Sequence, residues 1–369
     1  MIAFRQPLLP SSYMVWCDPP DASGDEILRI VSWRKSIVLK GHSFREFARA
    51  VVPLLDGTRK IEDIHAATEG LFQRADLDAA LSMLAEQGVV VEGAALDGGL
   101  PARLRPQTNY LLEMSPDATA AQTRLTAASV VIFGMGGAGA SVARALAVAG
   151  VGRIICVDAA MGGPADGYFS AVLGRADAGE SRAAVAVAAI AGAAPDATVA
   201  CVTQRVEDAA ALAGLIGGAD LVIACHDAGE LNLTLKVNRA CLDAGVRFLA
   251  GALEGPRVVA GPGVLPGADG PCYMCYRMRE VACAHNPQTR FATERRLDRV
   301  KQDLGGQREN LVFGADILAG LLGAEAFNIL SGITDSALDG RIIVFDLTNL
   351  RQEKHVVLRK PGCPVCGAG

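Results

Sequence analysis

The chain has 369 residues, too many for one ordinary core, which suits two domains of unequal size. A formal net charge of −5 argues against nucleic acid as the main partner. No uncharged apolar run reaches the roughly eighteen residues of a bilayer span, because Arg144, Arg153 and Arg182 interrupt the alanine-rich segments, and Met1 to Pro10 lacks the regions of a signal peptide. A cytoplasmic protein is therefore expected, with its ten cysteines reduced and any paired ones serving as metal ligands rather than disulfides.

In chain order, residues 1–24 carry Pro7, Pro10, Pro19 and Pro20 without a period and read as an extended arm. Ile27 to Val31, a polar Ser32 to Lys35 and Ser36 to Lys40 predict a hairpin, broken by Gly41-His42. Ser43-Phe44-Arg45-Glu46 has the spacing of a capping box, and Phe44, Phe47, Ala48, Val51, Leu54 and Leu55 follow on one helical face until Asp56-Gly57. A short helix over Ile61 to Ala67 comes next, and a third from near Asp76 sets Leu77, Leu81 and Leu84 on its apolar side before Gly88. Val89 to Val91 predicts one more strand.

A hairpin with three helices is a winged-helix pattern, whose usual partner is DNA. The third helix here presents Asp76, Asp78 and Glu86, where DNA reading needs Arg or Lys. What remains is an edge strand beside an apolar helix, a groove in which a peptide strand gains backbone hydrogen bonds while Ile37, Val38, Leu39, Leu77, Leu81 and Leu84 supply selection. An edge covered by the rest of the chain is the other possibility. With LLDGTRKIEDI at Leu54 to Ile64 and AALSMLAEQGVVVE at Ala79 to Glu92, residues 25–92 resemble the PqqD-type domain. That resemblance implies recognition of the leader segment of ribosomally made, modified peptides.

Residues 93–120, with Gly98, Gly99, Pro101 and Pro106, read as a linker. Val130 to Phe133 then predicts a buried parallel strand running into GMGGAG, Gly134 to Gly139, and an alanine-rich helix, Ser141 to Ala149. Gly134 suits the tight turn, Gly136 and Gly137 close approach of backbone N–H groups to a phosphate, and Gly139 helix–strand packing. A second strand, Arg153 to Val157, ends in Asp158, placed to accept from a ribose hydroxyl. Helices at Ala183 to Ala191, Ala209 to Gly217 and Leu233 to Asp243 alternate with strands at Thr198 to Val202, Leu221 to Cys225 and Arg247 to Ala250. The alternation predicts an α/β, Rossmann-like domain over 121–369 with a mainly parallel sheet, behind a small α+β domain. Ile317 to Leu330 predicts a core or dimer helix, and Arg341 to Asp346 a final strand.

The strongest chemical pattern is Cys272-Tyr273-Met274-Cys275 with Cys363-Pro364-Val365-Cys366, two knuckles able to supply four thiolates to a structural zinc. Redox chemistry is the alternative, disfavoured because neither pair is expected to follow a strand and open a helix. Cys17, Cys156, Cys201, Cys225 and Cys241 read as packing and Cys283 as an ordinary thiol.

GMGGAG, Asp158, Asp227 in ADLVIACHDA and the two CxxC pairs are together similar to the ubiquitin-activating-enzyme-like family, the ThiF and MoeB fold. That similarity implies adenylation of a carboxylate with ATP and magnesium, commonly by a homodimer, with Asp227 at the magnesium position. Against the family's D-x-D-x-V-x-x-S-N-x-x-R-Q and G-x-x-K, aligned at Gly179, the second Asp becomes Ala160, the Asn Asp166, the Arg Phe169, the Gln Ser170 and the Lys Arg182. Phe169 supplies no cation, Asp166 repels a triphosphate, and Arg182 keeps charge without the compact ammonium. Asp158 and Asp227 could equally be strand-end residues capping a helix.

A leader-binding domain fused to such a body, with CYMCYRMREVACAHNP at Cys272 to Pro287, resembles the leader-binding partner of YcaO-type cyclodehydratases. The resemblance implies azoline formation on a precursor peptide by a separate YcaO protein, with this chain as scaffold. The alternative is an adenylating enzyme acting itself on a peptide or sulfur carrier. Ala292 to Asp303, beside Arg290 and with Arg295, Arg296, Arg299 and Lys301, reads as a docking helix or as a solvated charged face.

Overall fold

The computed structural model describes residues 5–20, 22–93, 101–115, 118–163, 166–174, 179–225, 230–267, 269–300 and 311–367. Two compact units meet between Gln122 and Thr123.

In the first unit, β1 (Pro7–Leu8) and β2 (Met14–Asp18) lie within the stretch expected to be an extended arm. Pro10, Pro19 and Pro20 flank β2 instead of interrupting it, and Val15 and Cys17 turn inward while Met14 and Trp16 turn out. β2 pairs antiparallel with β3 (Glu26–Val31), which pairs with β4 (Ser36–Gly41). Among the described residues β4 has no second strand partner. Helix α1 (Phe44–Ala50) follows, but no capping box forms. Ser43 is left-handed, at φ 63°, without a side-chain cap bond, and the Arg45 N–H donates to Glu26 Oε2 at 2.8 Å. Helices α2 (Ile61–Ala67) and α3 (Arg74–Glu86) complete a core with Leu28, Ile30, Phe47, Val51, Leu55, Ile64, Leu77, Leu81 and Leu84. Strand β5 (Val91–Glu92) pairs with β1.

The stretch expected to be a linker contains helix α4 (Arg105–Met114) and the start of α5 (Ala118–Ala127). Pro106 sits in the first turn of α4, where its missing N–H costs nothing, so it starts a helix there. Leu104, Leu111 and Leu112 are buried along it.

The second unit is built on an eight-stranded sheet ordered β13-β12-β11-β10-β9-β6-β7-β8. After β6 (Ser129–Phe133) come α6 (Gly137–Val148), β7 (Arg153–Val157), α7 (Asp166–Phe169), α8 (Arg182–Ala193), β8 (Thr198–Val202) and α9 (Ala209–Ile216). Next are β9 (Leu221–Ala224), α10 (Leu231–Ala244), β10 (Arg247–Glu254), β11 (Arg257–Val264), α11 (Tyr273–Cys283) and α12 (Pro287–Val300). Helix α13 (Val312–Ser331), β12 (Arg341–Asp346) and β13 (Arg351–Val356) close the order. From β10 to β8 the neighbours are parallel; from β10 to β13 they are antiparallel, so the sheet is mixed where a mainly parallel one was expected.

The apolar run of β6 is covered on both faces, as parallel strands require. Val130 and Ile132 pack with Leu146, Ile190 and Leu318 of α6, α8 and α13, while Val131 and Phe133 pack with Leu212, Ile216 and Val237 of α9 and α10. Among the described residues, α13 alone is long and apolar enough to cross a membrane; Leu318, Leu322 and Ala326 bury it in this core. Strand order reverses between β6 and β9, a switch point that opens a crevice outside the strand carboxyl ends.

Candidate functional site

Cys272 is the N-cap of α11 and Cys275 lies in its first turn, so one CxxC does open a helix, against expectation. Cys363 and Cys366 arrive from the turn after β13. All four Sγ atoms lie within 4.8 Å of one another. Cys272–Cys275 is 3.9 Å, Cys272–Cys363 3.7 Å and Cys275–Cys366 3.4 Å. A tetrahedral ion with bonds of about 2.3 Å to sulfur needs sulfur–sulfur edges of about 3.8 Å, so the four thiols fit such a metal. Their convergence on one point is what favours metal over redox chemistry. Burial raises the Cys272 and Cys275 thiols. Burial also pushes on Cys363, but hydrogen bonds from the Cys366 and Val365 backbone and from the neighbouring thiols outweigh it and bring Cys363 down to about 7. Four sulfurs leave a bound ion no open position for water, which makes its role structural.

The glycine turn lies at the carboxyl end of β6. Gly134 has φ 87°, and a Cβ on Gly139 would collide with the Gly134 carbonyl, so strand and helix meet at a distance only glycine allows. Gly136 is the N-cap of α6 and Gly137 its first residue. A Cβ on Gly137 would sit 2.6 Å from the Phe169 carbonyl oxygen; the buried Phe169 closes over the start of α6. Asp158 follows β7, and its two oxygens accept from the Met135 and Ala160 N–H groups, each at 2.7 Å. Arg182 is buried and its Nε donates to Asp166 Oδ2 at 2.8 Å. Asp166 therefore neutralises Arg182, so the charge retained there is already engaged by the neighbouring carboxylate. Two departures that are charge-complementary, Asn to Asp and Lys to Arg, were the signal for this pairing. Asp227 and Lys301 lie outside the described residues.

The first-unit residues expected to form a groove separate into two sets. Ile37 and Leu39 are half-buried against the core, whereas Val38 points the other way and is 51% exposed. Leu77, Leu81 and Leu84 are at most 2% exposed and belong to the interior. A helix face that reads as open in sequence is covered because Leu77, Leu81 and Leu84 fall in one core cluster with Leu28 and Ile30 of β3 and Phe47 of α1.

Beyond the carboxyl ends of β9 and β10, a cavity of about 420 Å³ is walled by α10, α11 and α12. Arg277 bonds Glu280 and Glu294. Arg290 reaches Glu254, Glu280 and Glu294 at 3.2, 2.7 and 2.7 Å. Burial raises the Glu280 carboxyl. Sequence reasoning missed this cluster; Arg277 and Glu280 at i,i+3 and Arg290 and Glu294 at i,i+4 were the signal. Arg295, Arg296 and Arg299 on the same helix are exposed.

The sequence model of the ThiF family matches residues 108–365. The SAMP-activating enzyme E1 of Haloferax volcanii is 29% identical over 254 residues, 67% of this chain and 83% of that protein. The molybdopterin-synthase adenylyltransferase of Salmonella typhimurium is 27% identical over 249 residues, 67% of this chain and 90% of that one. In fold, a crystal structure of E. coli MccB with AMPCPP and MccA superposes with a TM-score of 0.70 at 17% identity, covering 98% of this chain and 99% of the other. The glycine turn, the strand-end aspartate and the first three of the four cysteines fall inside the matched span, with Cys366 one residue beyond it, and the chain belongs to the ThiF family.

Proposed function

We propose that this protein is a peptide-handling member of the family that has given up adenylation: a cytoplasmic scaffold that holds the leader of a precursor peptide and presents the remainder to a separate YcaO-type cyclodehydratase. The observation that carries the reading is the buried Arg182–Asp166 pair at 2.8 Å, with Phe169 in the neighbouring arginine position. Adenylation needs cations aimed at the developing phosphate charge, and losing one such donor typically costs roughly 3–4 kcal/mol. The edge of β4, unpaired among the described residues, supports the peptide half of the reading, since a leader added there gains backbone hydrogen bonds, with Ile37, Val38 and Leu39 offering side chains to it. The PqqD-like winged-helix assignment of residues 25–92 belongs to this proposal, as do a zinc ion in the four-cysteine site and a homodimeric state. Micromolar affinity, about −8 kcal/mol, suits turnover, and tethering makes modification of the core effectively intramolecular.

Val38→Asp tests the first half. A side chain already exposed tolerates the change, so the fold and metal content stay and leader affinity falls at least about tenfold, 1.4 kcal/mol. Unchanged affinity would place the leader elsewhere. Leu84→Asp is unsuitable, because Leu84 lies in the core.

A second reading, adenylation of a peptide or sulfur carrier by this chain itself, is favoured by the intact glycine turn and by adenylyltransferase relatives. It requires ATP–pyrophosphate exchange by the full chain with peptide and no partner enzyme; we expect none.

A further inference from the structure

The cavity beside β9 and β10 contains charges that the scaffold reading leaves unused. Two guanidinium groups, Arg277 and Arg290, are shared among three carboxylates, Glu254, Glu280 and Glu294. Glu230, also on the wall, is held by Arg205 through two bonds of 2.7 Å. Asp298 lines the cavity as well; it accepts the Asn232 N–H at 3.3 Å and the Leu231 N–H, and has no basic partner among the described residues. Burial raises its carboxyl, and Glu230 and Glu294 raise it further. Arg257 lines the cavity as a third guanidinium beside the three glutamates, so the unbalanced negative charge is at Asp298. One buried donor is also unmet: Arg277 is 8% exposed, lines the cavity, and its Nε has no hydrogen-bond partner. Such a donor costs about 1–3 kcal/mol until an acceptor arrives. A cation alone would satisfy the acids and leave this N–H unpaired. A peptide residue brings both parts, a positive side chain for Asp298 and a main-chain carbonyl for Arg277. The volume, about 420 Å³, is within the size range of small-ligand sites.

We propose that this cavity binds a lysine or arginine residue of the peptide client, with Asp298 facing the cation and Arg277 Nε donating to the adjoining carbonyl. The assignment rests on the peptide-handling reading above and deepens it by naming a residue class in the segment beyond the leader.

The probes are three N-acetyl pentapeptide amides that differ only at the central position, lysine, norleucine or glutamate, titrated against the full chain by saturation-transfer NMR. The lysine peptide should bind about tenfold more tightly than the norleucine peptide and more tightly still than the glutamate peptide. Asp298→Asn should narrow the lysine preference to about threefold or less with the norleucine affinity unchanged, and circular dichroism melting should show the variant folded. Equal binding of the three peptides, no binding, or an undiminished preference in Asp298→Asn would overturn the assignment. The probes carry no leader. Lysine selection without any effect of Val38→Asp on leader affinity would therefore sink the β4 reading alone, and leader binding without lysine selection would sink this one alone.

Discussion

The four-cysteine centre and the glycine turn occupy the same unit and the same family framework, yet they have fared differently. At the first, the donors converge with spacings that a tetrahedral ion requires. At the second, the backbone shape persists, with Gly134 left-handed and Gly139 against the strand, while the side chains around it serve one another: Asp166 holds Arg182, Asp158 holds two backbone N–H groups, and Phe169 covers Gly137. A site that stabilises the fold tolerates no missing ligand. A site that performs chemistry can lose its cations while the fold survives, because Gly134 and Gly139 are required by the backbone whatever the site binds.

The largest effect that can break this contrast is metal removal. Structural thiolate sites contribute on the order of 10 kcal/mol, so a chelator or Cys275→Ser should lower the melting temperature sharply and release the knuckle at Cys363. A metal-free protein that melts unchanged would place both sites in one class. Next is Asp166→Ala, which takes the paired carboxylate away from the buried Arg182 guanidinium; urea unfolding should report a loss of about 3–5 kcal/mol. Replacing both partners with apolar residues, Asp166→Leu with Arg182→Met, should recover most of it, since paired burial is itself costly. The contrast is sharpened by the triple change Asp166→Asn, Phe169→Arg and Arg182→Lys. If cations are what the site lacks, calorimetry should show MgATP affinity gained by about tenfold or more. The smallest effect belongs to a control outside both sites. Burial pushes Asp56 up, but the Thr58 N–H at 2.9 Å and hydroxyl at 2.7 Å, with Arg59, outweigh it and leave its carboxyl below the usual range. A depressed acid stabilises above its unfolded pKa and loses that contribution as pH falls through its folded one. Thr58→Ala should therefore cost a little stability at neutral pH, with the difference from the unaltered chain fading as pH falls through the folded pKa of Asp56, so that the acid limb is slightly flatter.

The parallel half of the large sheet was legible because strands buried on two faces must be apolar; Val130 to Phe133 and Leu221 to Ala224 declare themselves. In the antiparallel half, β12 was legible as Arg341 to Asp346, whereas β11 and β13 were not. β13 reads Arg-Gln-Glu-Lys-His-Val and is mostly exposed, held by its ladder to β12 rather than by burial. β11 contains Gly261 and Pro262, which read as a turn. In the first unit, Ser43 and Glu46 have capping-box spacing, but Glu26, distant in sequence, took the Arg45 N–H. At the sites, the four cysteines able to hold a metal were visible from spacing alone. The Arg182–Asp166 pair was visible only as two separate departures, and the glutamate–arginine cavity needed three helices brought together.

Cys272 and Cys363 are 91 residues apart. An ion joining them closes a loop that contains α11, α12, α13, β12 and β13, so it acts as a removable staple. In the chain-entropy treatment a permanent cross-link of that span would remove roughly 4.5 kcal/mol from the unfolded ensemble. With a bound ion the cross-link would last only while the thiolates are reduced and the ion is supplied, which would tie the persistence of this segment to the metal and thiol balance around it.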